Sequence, residues 1–327
     1  MSTLSAIHPT LMDVTNRLDP GGKIDTVAEI LTQTNPILDD MVWIEGNLPT
    51  GHRTTVRTGL PAPTWRKLYG GVQPTKSLTA QIQDSCGMLE AYAEIDKALA
   101  DLNGNAASFR MSEDTAFIEG MSQEFAQTLF YGNEGSEPEA FTGFSPRYLG
   151  ANENTLGSDT STDGTSIWLV VWGANTVHGI YPKGSTAGLK MTDKGQVTAE
   201  NIDGSSGRAE IYRTHYRWDC GLTVRDWRYV VRIIVDTGNL EPGNVATLPD
   251  PDMIDLMVQA AELIPNLSAG RPAFYMNRAT LSMLRRQILG RVSYNLTNET
   301  VAGKHVTMFD GIPVRRTDAI LSTETIA

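Results

Sequence analysis

The sequence predicts an α+β protein with four parts in order: a loose N-terminal arm, an extended loop, a β-rich centre carrying one long helix, and a C-terminal α/β unit. Three observations lead there. Proline and glycine crowd residues 46–80 so closely that a helix is excluded. Apolar residues at helical spacing fill 112–131. The last third switches between helical and strand periods, whereas the centre keeps to strands.

Residues 1–22 mix small, polar and apolar types without a period and end at the turn signal Asp19-Pro20-Gly21-Gly22. Alone, such a segment is expected to be disordered. Next, Ile24, Val27, Ile30 and Leu31 recur at spacings of three and four and predict a short helix that Pro36 ends. The window 46–80 holds Pro49, Pro61, Pro63 and Pro74 with β-prone pieces such as 54–58 between them, which reads as an extended hairpin or loop. Residues 88–105 carry helix or strand formers and end in a turn.

Phe117, Ile118, Met121, Phe125 and Leu129 then define one helical stripe. Ser112 is placed to cap this helix, Glu113 and Asp114 suit its positive end, and Gly132-Asn133 stops it. In the centre, TSIWLVVW (165–172) is apolar on both faces and predicts a buried strand. Residues 211–236 predict one or two long strands, with the alternation from Trp227 to Arg232 suiting a half-buried sheet. Trp168, Trp172, Trp218 and Trp227 read as core. In the C-terminal part, Ile254, Met257, Val258 and Ala261 share one helical face, 271–277 is a short strand, and Leu281, Leu284 and Ile288 mark a second helix. Strand-like pieces flank Gly311-Ile312-Pro313.

The chain has 327 residues, 40% of them hydrophobic, enough for one large domain or two. No apolar run reaches the length of a membrane helix, and the first residues lack a secretory signal pattern. Cys86 and Cys220 alone supply neither a disulfide framework nor a zinc site, which fits a reducing cytoplasm. A formal net charge of −11 argues against tight nucleic-acid binding. Walker A, G-x-S-x-G, H-E-x-x-H and C-x-x-C patterns are missing. Asp101-Leu102-Asn103-Gly104-Asn105 starts like a calcium loop but lacks glycine at the sixth position and an acid at the twelfth, so it reads as a turn. His215 and Cys220 fall on opposite faces of a strand, and the histidines show no ligand spacing. No catalytic residue, cofactor or metal is assigned.

Charge is distributed unevenly. From Gly46 to Gln83 there is no acid, while Arg53, Arg57, Arg66, Lys67 and Lys76 give +5. Residues 84–139 hold twelve acids and two bases, a net −10. As a hairpin the window has arms of roughly 17 residues, about 55 Å long at 3.3 Å per residue. That exceeds the radius of a compact domain, so the hairpin either folds back or projects onto a partner. A second copy of this chain offers the matching acid. The expected interface is Arg53, Arg57, Arg66 and Lys67 against Glu113, Asp114, Glu119 and Glu124. Trp65 serves as an aromatic anchor, with Leu48, Val56, Leu60, Leu68 and Tyr69 adding apolar contact.

This layout, and the run AFYMNRATLSMLRRQ…VTMFDGIPVRRTDAI, resemble the major capsid proteins of tailed bacteriophages with the Hong Kong 97 fold. ILDDMVWIEGNLPTGHRTTVRTGLP, SCGMLEAYAEIDKALADLNGN and HYRWDCGLTVRDWRYVVRI are similar to those of short-tailed, podovirus-type phages, over nearly the whole chain. The resemblance implies an arm and short helix at 1–45, an E-loop at 46–80, a peripheral domain at 81–240 with its spine helix at 112–131, and an axial domain at 241–327. It implies a non-enzymatic shell subunit that assembles as pentamers and hexamers into an icosahedral capsid around double-stranded DNA, bound without sequence specificity, in the host bacterial cytoplasm. Implied partners are further copies of the chain, a portal protein and a decoration or cement protein, with no membrane. Only about twenty residues precede the first helix, which implies a separate scaffolding protein. The rival reading is a hydrolase with 46–80 as a lid, which would need converging titratable groups.

Overall fold

In the computed structural model, the described residues are 8–10, 12–13, 31–102, 106–149, 154–157, 164–200, 207–236, 252–289, 297–301 and 304–324. They form two compact units. One takes its described residues from Asn35–Gly87, Gln127–Ala187 and Cys220–Ala327, the other from Met1–Thr34, Met88–Ala126 and Gly188–Asp219.

The first unit is organised around β5 (Gly164–Trp172), in which every residue is buried. It pairs antiparallel with β9 (Val230–Asp236), which takes the short β4 (Thr155–Leu156) in parallel, on one side and β10 (Arg271–Met276) on the other. β10 continues in parallel to β13 (Ile312–Arg316), which joins β12 (Lys304–Phe309) and then β11 (Thr297–Val301). Alternation along β5 splits its side chains between two apolar layers. Ile167, Leu169 and Val171 meet α4 (Met253–Leu263) and α5 (Arg278–Leu289) through Met253, Met257 and Leu284. Trp168 and Trp172 face the other way, toward Phe144, with Phe130 and Tyr148 also against Trp168. Covered on both faces, this part of β5 needs no polar side, which is why residues 167–172 are a continuous apolar run. Each such side chain contributes roughly 1.5–3 kcal/mol on burial.

Local signals fit the same frame. The Asp252 carboxylate accepts from the Ile254 and Asp255 amides and caps α4. The Asn277 side chain accepts from the Thr280 amide at 2.8 Å to start α5 and donates to Thr165 Oγ1 on β5 at 2.9 Å. Asp310 and Gly311, both at positive φ, form the two-residue turn between β12 and β13. β6 (Val177–Tyr181) takes β1 (Trp43–Glu45) in parallel and the end of β8 (Arg208–Val224) antiparallel. β2 (Gly51–Gly59) pairs antiparallel with the first part of β3 (Leu78–Asp96).

The second unit packs residues 106–126 of α3 (Ala106–Tyr131) onto strands. Residues 208–219 of β8 lie between β7 (Lys190–Glu200) and residues 88–96 of β3. Met121 is buried with Ala93 and Tyr216, Phe117 stacks on Tyr216, and Phe125 stacks on Trp218 at 4.7 Å. A smaller cluster joins Phe109 with Ile95 and with Ala100 of α2 (Lys97–Ala100).

Several expectations need correction. α3 begins at Ala106, so Ser112 lies inside the helix and does not cap it; burial of Phe109 against Ile95 and Ala100 extends the helix past the local start signal. Ile118 is 42% exposed, because the sheet meets only the Phe117–Met121–Phe125 edge of the stripe. Trp227 is 50% exposed in a short 3-10 turn, Trp227–Tyr229, whose N-terminus Asp226 caps. β9 is buried from Val230 to Val235 instead of half-exposed. Pro36 also precedes a short helix, α1 (Ile37–Asp40), that was not expected. The helix expected at 24–31, most of the arm and the calcium-like turn at 103–105 lie outside the described residues.

Candidate assembly surfaces

The extended loop has a fixed foot and an exposed end. At the foot, β2 and β3 run in register from Gly51↔Ser85 to Arg57↔Thr79. Gly51 is required there, since a Cβ would sit 2.0 Å from the Asp84 carbonyl oxygen. Asn47 closes the approach to β2 by donating to the Arg53 carbonyl and accepting from its amide, both at 2.7 Å. Asp84 is buried and takes the Arg147 guanidinium at 2.8 Å, which also donates to the Thr142 carbonyl. Ser85 donates to Glu134 at 2.8 Å.

Beyond Gly59 the character changes. Residues 60–77 have no helix or strand and carry Leu60, Trp65, Leu68 and Tyr69 at 79%, 104%, 88% and 101% exposure. One turn is marked by the Gly70 amide bonding to the Lys67 carbonyl, with Tyr69 in the left-handed region at φ 62°. Four large apolar side chains thus stand in water on one segment, a concentration unusual for the surface of a lone subunit. Leu48 and Val56, also expected to supply contact, are half-buried in their own chain.

Of the expected cations, Arg53 donates to Gln83 at 3.0 Å within the hairpin. Arg57, Arg66 and Lys67 are exposed and make no ion pair among the described residues. The expected acids all lie on α3 in the other unit. Glu119 accepts from the Gln33 amide at 2.9 Å and from Gln123 Nε2 at 2.7 Å, so it already serves its own chain. Asp114 neighbours Tyr216, whose hydroxyl is held above the usual phenol range by burial first and this carboxylate second. Glu113 is half-buried and Glu124 is exposed.

Glu124 also lines a feature that sequence reasoning missed. Between residues 89–91 of β3 and 116–124 of α3 lies an open groove of about 350 Å³, with Leu89, Ala91, Phe117, Gly120 and Met121 in its lining and Glu90 beside Glu124. The one signal in the sequence is Gly120, a missing side chain in the middle of a helix. The fixed foot was also missed: Asn47, Gln83 and Arg147 look like ordinary surface residues until the chain folds.

No group of histidine, cysteine or acidic residues suited to a metal occurs among the described residues. The polar groups that do gather are paired for structure: Arg232 with Glu324 at 2.9 Å, both buried, and Arg147 with Asp84.

The family model for major capsid protein GP7 matches residues 19–327. A chain in the near-atomic cryo-electron microscopy structure of bacteriophage epsilon15 is 34% identical, with a TM-score of 0.79, over 100% of this chain and 99% of that one. The capsid of bacteriophage JBD30 is similar at 10% identity and a TM-score of 0.50, over 89% of this chain and 92% of that one, a likeness of fold alone. No curated protein sequence matches. The fold is that of Hong Kong 97-type phage capsid subunits, a class whose task is to build a shell. The chain belongs to the GP7 major capsid protein family and is a structural component of the virion shell.

Proposed function

We propose that copies of this chain assemble as pentamers and hexamers into an icosahedral shell around packaged double-stranded DNA, with the loop 46–80 of one copy lying on the acidic α3 of another. The observation that carries this reading is the contrast along the loop: a foot locked by Asn47 and Arg147, and an end that leaves Trp65 fully in water. The groove beside Glu90 and Glu124 is the seat we assign to Trp65, so that Arg66 and Lys67 meet those carboxylates. Exposed ion pairs contribute only about 0–1 kcal/mol each, so charge sets register and rate while apolar burial supplies adhesion.

We name residues 1–45 the arm and short helix, 46–80 the E-loop and 81–240 the peripheral domain. We name residues 241–327 the axial domain; its core also takes in β5 and β9 from the preceding segment. We assign no catalytic activity, and support for this comes from the structural pairing of the buried charges. A scaffolding protein, a portal, a decoration protein and assembly in the host cytoplasm are taken from the family resemblance.

The test is charge reversal. Arg66→Glu with Lys67→Glu should leave the subunit folded and block shells seen by negative-stain microscopy. Reversing Glu124 to Lys in the same chain should restore some of them. Normal shells from the loop variant across a range of salt would overturn the charge-matched contact. A wild-type protein that forms only a small, discrete oligomer would overturn the assembly into pentamers and hexamers.

A further inference from the structure

Two histidines meet at the foot of the loop. His52 is the second residue of β2 and His178 the second of β6, and their rings are 5.7 Å apart at 82°. His178 is 1% exposed. Among the described residues no well-formed hydrogen bond reaches either of its ring nitrogens, or Nδ1 of His52. Strand pairing places Asp84 across from His52 and Thr223 across from His178.

The charges around the pair discourage a proton. Arg225 acts against protonation of both rings, and its guanidinium is held nearby by the Ala174 carbonyl at 3.0 Å and Asn175 Oδ1 at 3.4 Å. Asp84 favours a proton on His52, but burial and Arg225 outweigh it, and one of its carboxylate oxygens takes the Arg147 guanidinium. The Gly173 backbone favours one on His178, against the larger effects of burial, His52 and Arg225.

We infer that the His52–His178 contact is an acid-sensitive joint: with both rings neutral it ties β2 of the loop foot to β6 of the core, and a proton on either ring loosens that tie. A cation here would be buried beside a second ring and a guanidinium, so the joint opens to hydrate it. Burial, first among the causes, lowers His178 to about 4 and also lowers His52. The sign follows. The opened foot, with a histidine value near 6.5, binds more protons than the closed foot between that value and 4. The closed joint is therefore fully favoured above about pH 6.5 and weakens as pH falls toward 4. From His178 alone, opening should become roughly 30-fold more frequent between pH 7.5 and pH 5.

Amide hydrogen exchange of the full chain, corrected for intrinsic rates, tests this. Peptides covering 46–59 and 78–87 should lose protection by roughly that factor over this range, while 271–288 in the same unit holds. His178→Phe, which keeps an aromatic ring, should remove most of the acid dependence. Should that variant fail to fold, exchange of the imidazole C2 hydrogens in the wild-type protein decides, and His178 should titrate well below a free histidine. Foot protection that holds to pH 5, an unchanged acid response in His178→Phe, or an ordinary titration of His178 would each overturn the inference.

Discussion

Replacing Glu324 by Gln removes one charge from the centre of a buried network while preserving its shape. Glu324 accepts from Arg232 Nη2 at 2.9 Å, from Tyr131 OH at 2.5 Å and from Ser166 Oγ. Arg232 is equally enclosed: it also donates to Ser166 Oγ and the Tyr148 carbonyl, both at 2.9 Å, and lies 5.2 Å from the Trp168 ring. Removing one partner of a buried pair costs about 3–5 kcal/mol, because the other charge is left without compensation. The glutamine oxygen can still accept from Arg232, which places the expected loss near the lower end, about 3 kcal/mol. Urea unfolding of the unassembled chain, followed by tryptophan fluorescence, measures it, with Trp168 as a reporter beside the site. Adding Arg232→Met should recover much of the loss, since an apolar side chain leaves no stranded charge. A Glu324→Gln loss under about 0.5 kcal/mol, or a double variant no better than the single one, would refute the view that this charge is what matters.

Three further outcomes are expected. Phe125→Ala should lower the stability of the isolated chain by about 3–5 kcal/mol, whereas Ile118→Ala, on the exposed side of the same helix, should change thermal unfolding little. Trp65→Ala should leave the free subunit as stable as wild type yet raise the concentration needed for shell assembly, by a loss of about 2–4 kcal/mol per contact if the indole is an anchor. Gly51→Ala forces a Cβ against the Asp84 carbonyl, so limited proteolysis within 60–77 should speed up while the C-terminal α/β unit keeps its melting behaviour.

Much of the fold follows from local pattern. The apolar run 167–172 reads as a strand covered on both faces, the pieces around Gly311 as strands, and the proline-rich, acid-free window as an extended loop. These signals are legible because side-chain period and backbone sterics act over a few residues. Tertiary structure alone decided where α3 begins, because Phe109 finds its partners on other elements. It also decided that Trp227 lies in an exposed turn and that Arg232, read as the polar side of a strand, is buried against Glu324 far along the chain. The same holds for the candidate surfaces. The charge asymmetry is written in the composition, whereas the groove at Gly120, the Arg147–Asp84 anchor and the His52–His178 contact join residues from separate segments. Such pairs carry no local period, and their energies exist only once strands from distant parts of the chain are laid side by side.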